Sequence, residues 1–168
     1  MTNPAKTALA RIAMTAIAMI DFNGEKGVAT QMTTIGNAFS FEGEKGKGMQ
    51  IRLEVNPVNV DRVGLFVEPG DRAAVLAQFQ GMPERLEIKS YRSWIDKASN
   101  EPRTIGTVLG RAVRVQTDKA LGYVLYFKHL PASANAQGVY EIALVEPLPE
   151  DLRKARQQER QVAQVKAA

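Results

Sequence analysis

An unbroken alternation of apolar and polar residues runs from Met49 to Asn56. Successive side chains of a β-strand point to opposite faces of the sheet, so this period of two predicts a strand with one buried face. Pro57 is predicted to end the strand, because proline cannot donate a hydrogen bond to a neighbouring strand. The residues predicted to point into the core are Met49, Ile51, Leu53 and Val55.

Five more runs, rich in β-branched and aromatic residues, predict further strands. Glycine, proline or polar connectors separate them. The runs cover residues 63–67, 85–95, 105–116, 122–130 and 138–146. Alternation predicts that Leu86 and Ile88 face inward in the second run, and Tyr123, Leu125 and Phe127 in the fourth.

The segment 71–81 predicts a short helix inside this β-rich region. Asp71 is a candidate N-cap, and Gly81 is a candidate C-terminal glycine in the left-handed conformation. The apolar face of the predicted helix consists of Val75, Leu76 and Phe79.

A six-residue segment is repeated in the N-terminal third, where Phe22–Gly27 recurs with one substitution as Phe41–Gly46. Both copies are glycine-rich, charged turns between β-compatible residues, which predicts two hairpin tips whose glycines supply positive φ. The second tip continues to Gly48, and we expect either a solvated turn or a flexible loop that contacts a polyanion. Residues 8–20 fit both a helical stripe and a strand, and we expect a strand from about Thr15.

The segment 150–168 predicts a C-terminal helix, with acidic residues near its start and basic residues near its end, as the helix dipole favours. Its apolar seam is thin, which favours a solvated or partly frayed helix over a partner-binding coil. We therefore expect one β-rich domain over residues 1–149 and a basic helix or tail over residues 150–168.

Together these elements predict a mainly β protein with eight or nine short strands, one internal helix and a C-terminal helix. Strands, a single helix and then more strands is the order of the oligonucleotide-binding (OB) barrel, which the chain resembles in topology over roughly residues 28–130. The resemblance rests on no diagnostic motif, and the predicted strands outnumber the five of an OB barrel. A two-sheet sandwich and another small barrel are the alternatives.

The amino-acid composition and the absence of known catalytic motifs exclude most classes of enzyme mechanism. The chain has no Cys and one His, His129, which excludes a zinc site of the usual kind within one chain and a Cys nucleophile. No phosphate-binding loop, dinucleotide fingerprint, nucleophile elbow or metalloprotease motif is present. We expect a non-enzymatic protein without catalytic residues, cofactor or metal. An oxygen-only Mg²⁺ or Ca²⁺ site would need neither Cys nor His, but the sequence contains no Asp-rich ligand run.

The most apolar stretch, residues 8–20, is interrupted by Arg11 and is too short to span a bilayer. It also lacks the basic start and unbroken apolar core of a signal peptide. We expect a cytoplasmic protein without a membrane partner.

The net charge is +4, from 22 Lys and Arg against 18 Asp and Glu. Half of this excess lies in the segment from Glu150 onward, which has five basic and three acidic residues. The β-rich body is therefore nearly balanced and does not bind polyanions by bulk charge. Affinity for nucleic acid requires local clustering of basic residues.

The run Lys89–Trp94 interleaves two basic, two hydroxyl and two aromatic side chains. Aromatic faces that stack on bases and cations that follow phosphates bind single-stranded nucleic acid, so this mixture on a strand points to such a groove. Alternation from Leu86 places Lys89 and Tyr91 on the outer surface, and it directs Trp94 toward the core unless a bulge intervenes.

Two other predicted strands and the glycine-rich loops also contain basic or aromatic side chains. Tyr126 and Lys128 are predicted to point outward, whereas Arg111 and Arg114 have opposite parity, so at most one of these arginines faces a given groove. The candidate nucleic-acid-binding residues are Lys26, Lys45, Lys47, Lys89, Tyr91, Arg92, Trp94, Arg111, Arg114, Tyr126 and Lys128.

The leading hypothesis is a non-enzymatic protein that binds single-stranded DNA, with RNA as the alternative ligand, and that acts in DNA replication as a homo-oligomer. The alternative is a structural or assembly protein, such as a self-associating β-protein of a viral or mobile-element particle, and an enzyme ranks third. Salt separates the first two, because phosphate contacts weaken steeply as salt rises and an apolar interface hardly responds.

Overall fold

The computed structural model describes residues 11–43 and 46–167 of the chain. Within these ranges the chain forms eight strands and two helices. In chain order they are β1 (Ala13–Gly24), β2 (Gly27–Gly43), β3 (Gly46–Leu53), β4 (Arg62–Phe66), α1 (Arg72–Gln80), β5 (Arg85–Ile95), β6 (Pro102–Gln116), β7 (Leu121–Phe127), β8 (Tyr140–Val145) and α2 (Glu150–Lys166).

The strands form one closed barrel in the order β1-β2-β3-β8-β5-β6-β7-β4, with β4 pairing back to β1. Every neighbouring pair is antiparallel. The predicted mainly β class is confirmed, and the closed sheet corresponds to the barrel alternative rather than the two-sheet sandwich. Eight strands exceed the five of an OB barrel, and the single helix between strands is the feature that the two share.

The barrel interior is filled by every second residue of each strand, as alternation requires. Met49, Ile51 and Leu53 of β3 are completely buried, which confirms three of the four inward predictions. The prediction for Val55 is wrong, because β3 ends at Leu53 and leaves Val55 56% exposed in the following turn. Leu86, Ile88, Tyr123 and Leu125 are buried as predicted, and Phe127 is partly buried against the core.

Helix α1 closes one end of the barrel, because it connects the end of β4 to the start of β5 and buries Phe79 completely in the core. Val75 and Leu76 are partly buried against the same core, so the predicted apolar face is confirmed. Gly81 ends the helix with φ −80°, so the predicted left-handed conformation is wrong there. The helix ends instead on backbone hydrogen bonds from the Gly81 N–H to the carbonyl oxygens of residues 78 and 79.

The two copies of the glycine-rich repeat form hairpin tips, as predicted. Gly24 pairs with Gly27 at the tip between β1 and β2, and Gly43 pairs with Gly46 at the tip between β2 and β3. Gly27 has φ 112° and Gly46 has φ 118°, values that favour glycine because it has no Cβ. The second tip contains Lys45, which lies outside the described residues.

Two hairpins extend beyond the rim of the barrel. β1 pairs with β4 only as far as Met19, and β2 pairs with β3 only from Gly36 onward. Likewise β5 pairs with β8 only as far as Lys89, and β6 pairs with β7 only from Gly110 onward. The free two-stranded ribbons are residues 20–34, called arm 1 below, and residues 90–108, called arm 2.

Both arms leave the same end of the barrel, on opposite sides of it. β1 and β5 are four positions apart in a ring of eight antiparallel strands, so they run in the same direction and lie across the barrel from each other. Their hairpins therefore rise from the end opposite α1. Nearly all side chains of the arms are exposed on both faces. Among the described residues, no third strand pairs with either ribbon.

The C-terminal helix α2 forms as predicted and buries none of its residues. Its first turn contains Glu150 and Asp151 and its last turn Lys166, which suits the helix dipole. Arg153 Nη2 joins the helix to the barrel at 2.8 Å from Glu87 Oε1 on β5. In the part of the chain that the structure describes, no helix is long and apolar enough to cross a membrane.

Tyr123 is a buried polar group at the closed end of the barrel. Its hydroxyl donates a hydrogen bond of 2.6 Å to the carbonyl oxygen of Pro83, and its ring lies edge-to-face on Phe79. Burial raises the pKa of Tyr123 above the ordinary value of 10.0, and the charge of Arg114 opposes the shift without cancelling it. The fold therefore favours the neutral phenol.

This preference predicts a loss of stability in alkali. An unfolded tyrosine ionises near pH 10 while the folded Tyr123 stays protonated, so its contribution is complete below pH 10 and declines above it. The variant Tyr123→Phe is expected to lower the free energy of unfolding by about 0.5–1.5 kcal/mol at pH 7 and to flatten the decline above pH 10. Urea unfolding from pH 7 to 11 measures both, with the exposed Tyr126→Phe as the control. Identical pH profiles for wild type and Tyr123→Phe would contradict the assignment.

Candidate nucleic-acid interface

Three side chains form a row across the outer surface of β5, β6 and β7. The strand registers place Glu87 opposite Arg111, and Arg111 opposite Tyr126. Directly paired residues of antiparallel strands point to the same face, so all three lie outside the barrel. The residues that precede or follow them and face inward are Leu86, Ala112 and Leu125, all buried.

Arg111 and Tyr126 form a cation–π pair in this row. The guanidinium carbon of Arg111 lies 5.7 Å from the centre of the Tyr126 ring. The ring is not covered by the pair, because Tyr126 is 46% exposed. A cation and a partly exposed aromatic ring thus lie together at one point of the surface.

A second row lies next to the first, toward the end of the barrel from which the arms project. Lys89 stands opposite Val108 in the register of β5 and β6. The backbone N–H groups of Lys128 and His129 both donate to the Leu109 carbonyl oxygen, at 2.7 and 2.9 Å, which brings the end of β7 beside Val108.

Tyr91 extends this surface onto the base of arm 2. It stands opposite Gly106, where an added Cβ would lie 2.9 Å from Tyr91 Cε1. The missing side chain of Gly106 therefore makes room for the tyrosine ring to lie across the ribbon. We call the outer surface formed by Lys89, Tyr91, Arg111, Tyr126 and Lys128 the aromatic–basic face.

An open depression lies in the middle of this face, with a volume of about 340 Å³. It is open to solvent rather than enclosed. Its lining consists of Val108, Gly110, Arg111, Tyr126, Phe127 and Lys128.

The carboxylate of Glu87 is neutralised at the edge of the face. Lys89 Nζ lies 3.6 Å from Glu87 Oε2, and Arg153 Nη2 lies 2.8 Å from Glu87 Oε1. Within the described ranges, Arg111 and Lys128 form no ion pair. Arg111 and Lys128 therefore leave positive charge on the face, and Lys89 and Arg153 together outweigh the single carboxylate of Glu87.

Two residues of the run Lys89–Trp94, Arg92 and Trp94, lie on a different surface from Lys89 and Tyr91. Trp94 has the parity of Leu86 and Ile88, as predicted, because the extra residue of the bulge is Leu109 on β6 and leaves the alternation of β5 intact. The expectation that Trp94 lies in the core is wrong, since β5 has passed the rim there and Trp94 is 45% exposed. Arg92 shares this parity, so both lie on the face of arm 2 opposite Tyr91.

The remaining candidate residues lie away from the aromatic–basic face. Arg114 is at the closed end, where its Nη1 donates to the carbonyl oxygens of Gln80 and Met82 at 3.1 and 2.7 Å. Lys47 is half-buried on β3, with its Nζ near the end of α1. Lys26 is exposed at the tip of arm 1.

Sequence reasoning missed the neighbours that shape this face. Gly106 and Val108 stand opposite Tyr91 and Lys89 in the strand register. Glu87 lies beside Lys89, and Arg153 contacts Glu87. All four are separated from Tyr126 by many residues in the chain. The opposed parity of Arg111 and Arg114 was the useful signal, because it predicted that the two point to different sides of β6. Arg111 lies on the outer surface beside Tyr126, and Arg114 bonds to backbone carbonyls at the closed end.

Among the residues that the structure describes, no three His, Cys, Asp or Glu side chains come together in a way that could hold a metal ion. The fold and the site thus define a closed eight-stranded antiparallel barrel with two projecting arms and an aromatic–basic outer face. No family model, curated protein or solved structure matches the chain.

Proposed function

We propose that this protein binds single-stranded DNA, without catalysis, through the aromatic–basic face. The observation that carries the proposal is the Arg111–Tyr126 pair at the centre of the face. Nonspecific single-strand binders combine exposed rings, on which bases stack, with a positive groove that follows the phosphates. Lys89 and Lys128 supply the flanking charge and Tyr91 a second ring.

Binding would proceed by stacking and phosphate contact rather than by reading base edges. Unpaired bases stack on Tyr126 and Tyr91, and the phosphates between them lie against Lys89, Arg111 and Lys128. The base faces of duplex DNA are buried in its own stack and cannot stack on the tyrosine rings. The phosphates of a duplex would therefore contact only the basic side chains of the face. We therefore expect a preference for single strands with little dependence on base sequence.

The test is a titration of labelled oligo-dT with the protein at low salt, followed by fluorescence anisotropy. Neutralisation of three phosphates predicts that the logarithm of the binding constant falls with the logarithm of salt concentration with a slope of about −2. Oligo-U and duplex DNA are titrated in parallel, the first to compare RNA and the second as a control. Equal affinity for duplex and single strand, or no anisotropy change, would overturn the proposal in favour of an assembly protein.

A matched pair of charge variants locates the contact. Arg111→Gln removes a cation from the face, and Arg52→Gln removes one from the outer surface of β3, across the barrel, where it lies 3.8 Å from Glu141. Arg111→Gln is expected to make the salt slope shallower by about 0.7, while Arg52→Gln leaves it unchanged. Equal effects of the two variants would mean that overall charge, and not this face, governs binding.

Arg114→Gln is expected to affect stability but not binding. The substitution removes charged hydrogen bonds to two backbone carbonyls beside the end of α1, and each such bond contributes about 1.5–3 kcal/mol. We expect the free energy of unfolding to fall by about 2 kcal/mol or more, with the affinity for oligo-dT retained. Urea unfolding and the anisotropy titration measure the two quantities. A stable variant that loses binding would instead move the site to the closed end.

A further inference from the structure

The outer edge of β2 in arm 1 lacks the usual protection of a free strand. Proteins usually guard exposed strand edges with charged residues or proline, which discourage pairing with another chain. From Gly27 to Phe41, β2 contains neither a charged residue nor a proline. The stretch instead contains three Thr, one Val, one Ile and two Phe, which are residue types that favour strands.

The hydrogen bonds between Asp61 and β1 show which backbone groups of β1 point away from β2. The strand register then shows which backbone groups of β2 point toward its outer edge. The Asp61 N–H donates to the carbonyl oxygen of Met19 at 3.0 Å, and the Asp21 N–H donates to Asp61 Oδ2 at 2.7 Å. Met19 and Asp21 therefore direct their backbone polar groups away from β2. Their partners in the register, Met32 and Thr30, must direct theirs away from β1.

Alternation extends this pattern along the edge. Val28, two residues before Thr30, also directs its N–H and C=O outward. Residues 28, 30 and 32 thus present a row of backbone donors and acceptors that β3 does not reach, since its pairing with β2 starts at Gly36. Their side chains share one face of arm 1, where Val28 is 74% and Met32 62% exposed.

The three other free edges of the arms are protected. Along β1, Asp61 covers the edge, and Arg62 Nη2 lies 2.9 Å from Asp21 Oδ1. In arm 2, β5 carries Arg92, and β6 begins with Pro102 and Arg103. The β2 edge is therefore the one in the arms that is suited to pairing with another strand.

We propose that a second copy of this chain pairs antiparallel with the β2 edge, about a twofold axis at Thr30. Thr30 then lies opposite Thr30 of the partner subunit, and Val28 lies opposite Met32 of the partner subunit. Apolar side chains meet apolar ones and hydroxyl meets hydroxyl, and no like charges oppose each other. Such a contact is isologous and closes at two copies. It lies on the arm opposite the aromatic–basic face and is independent of the proposed function.

Single-cysteine variants test the register, because the chain has no natural cysteine. At the axis the two Thr30 Cα atoms would lie about 5.5 Å apart, within disulfide range, whereas two copies of Val28 would be offset by about 13 Å along the strands. Under mild oxidation Thr30→Cys is expected to give a cross-linked dimer and Val28→Cys to remain unlinked. Equal cross-linking of both, or of neither, would overturn the proposed register.

Sedimentation velocity tests the association itself. Wild type is expected to sediment at twice the chain mass, and Met32→Lys at the chain mass, because a lysine on each copy protects the edge. Ile95→Lys, at an equally exposed apolar position of arm 2, is the control and is expected to stay dimeric. Thr30→Pro removes an outward N–H by a different route and is expected to dissociate the dimer too. A monomeric wild type, or a dimer that survives both arm 1 variants, would overturn the proposal.

Discussion

Replacing Tyr126 by alanine is expected to weaken binding to oligo-dT about 5- to 150-fold, which corresponds to the 1–3 kcal/mol that one base stacked on an aromatic ring contributes. Tyr126 is half exposed on the outer surface of β7, so its removal leaves the core intact. The anisotropy titration at low salt measures the loss. Unchanged urea unfolding would show that the variant is folded.

Trp94→Ala is the matched aromatic control for this prediction. Trp94 is as exposed as Tyr126 but lies on the face of arm 2 that continues the barrel interior. Its removal is expected to leave the affinity within about twofold, since surface substitutions away from a contact change free energies by about 0.5 kcal/mol at most. If Trp94→Ala weakened binding and Tyr126→Ala did not, the ligand would lie on the face with Trp94 and Arg92, and the aromatic–basic face would be the wrong site.

The largest expected loss of stability comes from Phe79→Ala, at about 3–5 kcal/mol. Phe79 is completely buried where α1 closes the barrel, and its ring contacts Tyr123 edge-to-face at 5.8 Å between centroids. Truncation would leave a cavity at that end of the core and remove the main anchor of the helix. Urea unfolding with linear extrapolation measures the change.

Gln80→Ala, at an exposed position of the same helix, is the control for Phe79→Ala and is expected to change stability by less than about 0.5 kcal/mol. Phe79→Leu keeps much of the apolar volume and is expected to fall between the two. A loss below about 1 kcal/mol for Phe79→Ala would show that α1 does not close the barrel as described.

Local sequence patterns were sufficient for the elements themselves. The alternation in 49–53 and 85–88 identified both strands and their buried faces, because side-chain direction along a strand depends only on parity. The repeated Phe22–Gly27 segment identified two hairpin tips, because positive φ is a property of the glycine at each turn. The C-terminal helix was recognisable from the placement of its charges.

Parity alone did not reveal where a strand leaves the barrel. Val55 and Trp94 continue the inward alternation of β3 and β5, yet both are exposed. β3 has already ended before Val55, and β5 has passed beyond its neighbour β8 before Trp94. Burial requires a neighbouring strand and a filled interior, and both are supplied by distant parts of the chain.

The sequence by itself determined that this protein is mainly β, where most strands lie and which of their residues can face a core, since these properties depend on neighbours within a few positions. The tertiary structure decided which residues meet. Arg111 reaches Tyr126 because β6 and β7 pair in one register. Glu87 lies beside Arg111 because the bulge at Leu109 shifts the register of β5 and β6 by one residue between this pair and the tip of arm 2. Strand register and barrel closure result from packing the whole interior at once, and no single segment encodes them.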